Sequence, residues 1–184
     1  MKKLTATQEK SRQKKLKKIT EKLQSDDNKA IVSALKEVKE HGDASIIPFL
    51  IDLFLNNQNQ EVQDELQKVF FGLNDQDAVK PILNAAEQNI ESYQRSFLLS
   101  AIWEAGLSID GHLDQLTNIA LKSDYMAMLE AVTIVENMKR PDEDEPLKRN
   151  IVKVKEYLLD NPEQDDKYRL TASYLEILSE QMVG

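Results

Sequence analysis

Residues 44–73 read ASIIPFLIDLFLNNQNQEVQDELQKVFFGL, two apolar bursts separated by a short polar link. In the first burst Ile46, Ile47, Leu50, Leu53 and Phe54 recur at steps of three and four, which marks one apolar face of a helix. Ser45 or Asp43 can cap its start, and Pro48 falls in or just past the first turn, where a missing N–H costs least. Asn59 can cap a second helix, with Glu61 in its positive first turn and Val62, Leu66, Val69, Phe70 and Leu73 as its stripe. So short a link forces the two helices antiparallel.

The same phrase returns along the chain. Pro48 and Leu50 recur as Pro81 and Leu83, a step of 33 residues. Leu50, Leu83 and Leu116 keep that step, as do Leu53, Ala86, Ile119 and Val152. The second helices carry it as Leu66, Leu99, Val132 and as Val69, Ile102, Val135. A period in the thirties with two helices per unit predicts an all-α fold, an α-solenoid of about five antiparallel helical hairpins. The expected pairs are about 5–24 with 27–40, 45–56 with 60–73, 77–88 with 91–106, 110–122 with 124–138, and 143–160 with 164–181. The link KRPDEDEP (139–146) is the longest, so the last pair is expected to be shifted, within one domain spanning 1–184.

Composition agrees with helix. Only five glycines and five prolines occur in 184 residues, and 41% of the chain is apolar. No cysteine is present, which removes disulfides and thiolate metal sites. The start, MKKLTATQEKSRQKKLKK, is basic without an apolar core, so it is not expected to be a secretory signal. No apolar run approaches the roughly 18–20 residues that span a bilayer. These features set the expectation of a cytoplasmic protein.

Charge divides the chain. Residues 1–24 hold nine Lys/Arg against Glu9 and Glu21, a net of +7, which leaves −15 for the remainder of a chain whose total is −8. An acidic body repels phosphate, so nucleic acid is not the expected partner of its surface.

The repeats resemble HEAT-repeat proteins, and especially the short bacterial HEAT-like units, with armadillo-type repeats as relatives. Such a unit has an early proline and spaced leucines in its first helix. A polar turn follows, then a second helix that opens on a Val–Arg pair. IIPFLIDLFLNNQNQEVQDELQKVFFGL follows that order with Gln63 in place of the arginine. KPILNAAEQ followed by YQRSFLLSAIWEAG carries Arg95 near the arginine position, and YRLTASYLEIL offers Tyr168, Arg169 and Ala172. The resemblance covers residues 27–181. It implies a scaffold that binds a protein or peptide on a concave row of second helices. Enzyme-associated relatives imply a lyase or DNA-glycosylase-like alternative, which the acidic body disfavours.

No phosphate-cradling, dinucleotide or nucleophile-elbow signature occurs, so no catalytic residue, metal or cofactor is expected. His41 and His112 lack the partner spacing of a helical metal site. Asp142, Glu143, Asp144 and Glu145 read as an acid-rich helix start capped by Asp142, because a calcium loop needs spaced oxygens and a glycine. Phe71, Tyr93 and Trp103 fall on or beside the second helices and are the expected partner-binding aromatics. Lys14, Lys15, Lys17 and Lys18 surround a narrow Leu16–Ile19–Leu23 stripe. They read as solvated charge on a capping helix, with a nucleic-acid or anionic-surface tether as the sharper alternative. The expected partner is a protein or peptide, with the acidic body pointing to a basic one.

Overall fold

The computed structural model describes residues 6–163 and 165–183. Lys2 and Lys3 of the basic segment, and the expected helix starts at residues 5 and 164, lie outside the described residues. Ten α-helices and no strand occur among the described residues. They are α1 (Ala6–Leu23), α2 (Asn28–His41), α3 (Ile47–Asn56), α4 (Gln60–Phe70), α5 (Val79–Ala86), α6 (Ser92–Glu104), α7 (Leu113–Lys122), α8 (Tyr125–Asn137), α9 (Glu145–Asp160) and α10 (Asp166–Val183). Every expected helix is present, most with bounds within a few residues. The chain divides into two compact units between Ala78 and Val79.

In the first unit α1 packs on α2, α2 on α4, and α3 on both α1 and α4. Leu16, Ile19 and Leu23 of α1 are buried with Leu35, Leu50, Leu66 and Phe70. Ion pairs tie the helices together at the edges. Arg12 meets Asp43, Lys22 lies 2.6 Å from Glu37, and Lys39 and Lys68 both reach Glu65, at 3.3 and 2.7 Å. The Lys68 and Lys39 ammonium groups hold the Glu65 carboxyl below its ordinary range against the opposing cost of burial.

The second unit has the same local grammar. Helices α5, α7 and α9 pack in succession, α6, α8 and α10 do likewise, and α5–α6, α7–α8 and α9–α10 are the hairpins. Gly106 (φ 65°) turns the chain after α6, so the Leu107 N–H reaches the Ile102 carbonyl at 2.9 Å. A buried hydrogen bond of 2.9 Å joins Thr117 Oγ1 on α7 to the Tyr174 hydroxyl on α10, both side chains fully inside.

Local caps set the unit length. Asp27, Asn59, Glu91 and Asp124 each stand at the N-cap of a second helix, so successive steps are 32, 32 and 33. Asp43 and Asp75, again 32 apart, each precede a short 3-10 turn that leads into α3 and α5. Pro48 and Pro81 are 33 apart because proline slides from the second to the third helical position, and both leave only an unpaired first-turn site.

Two sequence expectations are corrected. Val152, placed on the buried track with Leu53, Ala86 and Ile119, is 54% exposed. In the second unit the buried first-helix positions advance by 34: Val79, Leu113, Leu147; Ile82, Leu116, Asn150; Ala86, Ala120, Val154. The step of 34 already holds from α5 to α7 and continues across the long connection to α9, so a track stepped by 33 has left the buried face there. The same connection moves the cap: α9 starts at Glu145 with Asp144, not Asp142, at the N-cap, and the Asp144 carboxylate accepts from Arg140 at 2.9 Å instead of closing the helix end.

Candidate binding surface on α6 and α8

The α6 sequence buries Gln94, Ser96, Leu98, Leu99, Ala101 and Ile102, which leaves Tyr93 outward at 67% exposure. Its start is fixed by a reciprocal cap: the Glu91 N–H donates to Gln94 Oε1 at 3.1 Å. On α8, Ala127, Met128, Ala131, Val132, Ile134 and Val135 face inward, and Tyr125 and Met126 are exposed. Asp124 caps α8 by accepting from the Ala127 N–H at 3.1 Å. Desolvation pushes its carboxyl up, but hydrogen bonds from Ser92 and the Ala127 N–H outweigh that and hold it below its ordinary range.

Glu130 joins the two helices. Its Oε2 accepts from the Trp103 indole N–H at 2.8 Å, and its Oε1 accepts from Ser96 Oγ at 3.0 Å. Ser96 and Trp103 are seven residues apart, two turns on one line of α6, so a single carboxylate on α8 can span them. The indole is thereby held in one orientation, with the side chain half-buried. Its polar edge is engaged inside the protein, and only the ring surface remains for a partner. Glu130 carried no local signal in the sequence, because the contact spans 27 residues and depends on the packing of α6 against α8.

Phe71 belongs to the first unit, half-buried at the C-cap of α4, whereas Tyr93 and Trp103 belong to the second. The four lysines are all exposed on α1, and Lys17 lies 3.9 Å from Glu21. His41 closes α2 with its Nε2 3.3 Å from Glu40, and His112 stands at the N-cap of α7 without a side-chain cap bond.

Arg95 and Gln63 explain the second-helix motif. The Arg95 guanidinium donates to the Ala86 and Gln88 carbonyls, both at 2.9 Å, at the end of α5. Gln63, 32 residues earlier, donates from Nε2 to the Phe54 carbonyl at 3.1 Å and to the Asn57 carbonyl. Each sits four residues after its N-cap and satisfies carbonyls left open where the preceding helix stops. Arg169 does not do this; it pairs with Asp166 at 3.3 Å, while Lys167 donates to the Leu121 carbonyl at 2.8 Å.

A cleft of about 500 Å³ opens between the α6–α7 turn and the α8–α9 connection. Ile109, Leu113 and Met138 give it an apolar lining, and Lys139, Asp142 and Arg149 give it charge. Arg149 lies 2.8 Å from Asp114 and lowers that carboxyl below its ordinary range, with help from Asn150. Among the described residues no group of His, Asp and Glu side chains is arranged to hold a metal ion, and no helix is long and apolar enough to cross a membrane.

These features define an all-helical protein of paired antiparallel helices. Comparison with protein-family models, curated proteins and solved structures finds no match to this chain.

Proposed function

We propose that this chain is a non-enzymatic interaction module, a HEAT-like α-solenoid that receives a basic segment of another protein on its second-helix row. The observation that carries this reading is a separation of charge within the second unit. Helices α6, α8 and α10 hold six acids (Glu104, Glu130, Glu136, Asp166, Glu176, Glu180) against three bases. Two of those bases, Arg95 and Lys167, are engaged on backbone carbonyls. Helices α5, α7 and α9 have the reverse balance, six bases against four acids. Acids on the same helices as exposed Tyr93 and Met126 and the held Trp103 ring suit a basic segment that also carries apolar groups.

Long-range attraction of this kind raises the association rate and weakens as salt screens it. The test is capture from cell lysate on the immobilised full chain at low and high salt, with Tyr93→Ala/Glu136→Lys as the comparison. Expected is a set of basic proteins that elute with salt and that the double variant retains at least about tenfold less well. Captured proteins that are acidic and salt-insensitive, or retention unchanged by the variant, overturn the reading.

A further inference from the structure

The edges of the first helices in the second unit follow a rule. Gln115 on α7 donates to Asn84 on α5 and to Glu87 just past its end, both at 3.0 Å. Arg149 and Lys153 on α9 donate to Asp114 and Asn118 on α7, at 2.8 and 2.9 Å. Helices α7 and α9 therefore give hydrogen bonds toward the helix before them, and α5 and α7 offer acceptors toward the helix after them. The 34-residue advance of buried positions carries Asn84 and Asn118 to Val152, Asp114 to Lys148, and Glu87 to Lys155. On α9 the edge that holds acceptors in α5 and α7 thus holds cations and an apolar side chain.

That edge is open. Lys148, Val152, Lys155 and Leu159 stand at i, i+4, i+7 and i+11, one line along the helix about 16 Å long. Both lysines are exposed, and Val152 and Leu159 are 54% and 79% exposed. Arg149 and Lys153, one position further round, are turned to α7 and engaged there. Val152 left in water between the two lysines, with Leu159 beyond Lys155, makes a poor solvent face and a good seat for a helix with the opposite pattern.

We infer that this edge of α9 is a second docking site, and that its occupant is an acidic amphipathic helix of another protein. Carboxylates on that helix would face Lys148 and Lys155, and its apolar side chains would cover Val152 and Leu159. A second copy of this chain fits less well, because two α9 edges brought together juxtapose like charge. The site stands apart from the α6–α8 surface in residues and in the sign of its partner.

The test titrates the full chain against a labelled synthetic helix of about 18 residues with Glu at i and i+7 and Leu at i+4 and i+11, and against the same helix with Lys for Glu. The Glu helix is expected to bind and to lose at least about tenfold in affinity with Lys148→Glu/Lys155→Glu and with Val152→Asp/Leu159→Asp. The Lys helix is expected to gain on the charge-reversed chain. Tyr93→Ala/Glu136→Lys should leave Glu-helix binding unchanged, which separates this site from the α6–α8 surface. The inference is overturned if the Glu helix binds no better than the Lys helix, or if the α9 variants do not change its affinity. It is also overturned if sedimentation shows a self-association that the α9 variants abolish, because the occupant is then a second copy.

Discussion

At the scale of single residues, the most constrained polar contact is the Thr117–Tyr174 hydrogen bond, with both groups fully buried. Removing one partner leaves the other unsatisfied in a dry interior. Tyr174→Phe or Thr117→Val should each cost about 1–3 kcal/mol by urea denaturation, and the double variant should cost clearly less than the sum. Burial also pushes the Tyr174 hydroxyl well above the ordinary tyrosine range, against the Thr117 hydrogen bond. The folded state keeps this proton after the unfolded chain has released it, so the contribution to stability is present below about pH 10 and is lost as pH rises beyond it. Stability of wild type should therefore fall faster above pH 10 than that of Tyr174→Phe. Nothing in the sequence marked Tyr174 out, because its partner is 57 residues away. The second-helix motif did put Gln63 and Arg95 at or near one position, and the structure adds their equal offset from an N-cap and the shared task of closing the preceding helix.

At the scale of elements, hairpins were legible because their signals are local: apolar steps of three and four, a capping side chain, and a short polar link. Register was less legible. A constant step of 33 averages over real steps of 32, 33 and 34, and Leu, Ile, Val and Ala look alike in an alignment of stripes although one residue turns a helix by about 100°. The offset matters most at α9, where Asn150 occupies the buried track of Ile82 and Leu116 and donates to Asp114 Oδ1 at 3.0 Å and to the Pro146 carbonyl at 2.8 Å. Asp114 thus ties α7 to α9 through both Arg149 and Asn150. Its carboxyl is held below its ordinary value chiefly by the hydrogen bond from Arg149, so its contribution is present above about pH 4 and disappears as pH falls through the lowered value. The pair is nearly half exposed, which keeps the effect small. Asp114→Asn should cost on the order of 0.5–1 kcal/mol at pH 7, with the difference from wild type shrinking toward pH 3 in chemical denaturation. A difference that stays constant across that range would remove the ion pair as its cause.

At the scale of the whole molecule, the net charge is unevenly held. Residues 1–24 carry +7 and residues 25–78 carry eleven acids against four bases, so the first unit is neutral. Residues 79–184 carry nineteen acids against eleven bases, which is the entire −8. Two roles are open to the lysines of α1: offsetting the acids of their own unit, or meeting an external anion. Lys14, Lys17 and Lys18 are exposed on the side of the helix opposite the buried Leu16, Ile19 and Leu23, and Lys15 adds a weaker attraction to Glu37 across the pair of helices. The two roles separate by experiment. Replacing Lys14, Lys15, Lys17 and Lys18 with Gln takes the first unit from neutral to −4 without touching its apolar face. If the lysines offset the acids of their own unit, the variant should unfold at lower urea than wild type in low salt, and the gap should close as salt screens the repulsion. If they serve a tether, stability should match wild type at every salt concentration while retention on anionic vesicles is lost. A low-salt stability gap with vesicle binding negligible in both proteins would assign these lysines to the fold alone and leave α6, α8 and the outer edge of α9 as the surfaces proposed to meet partners.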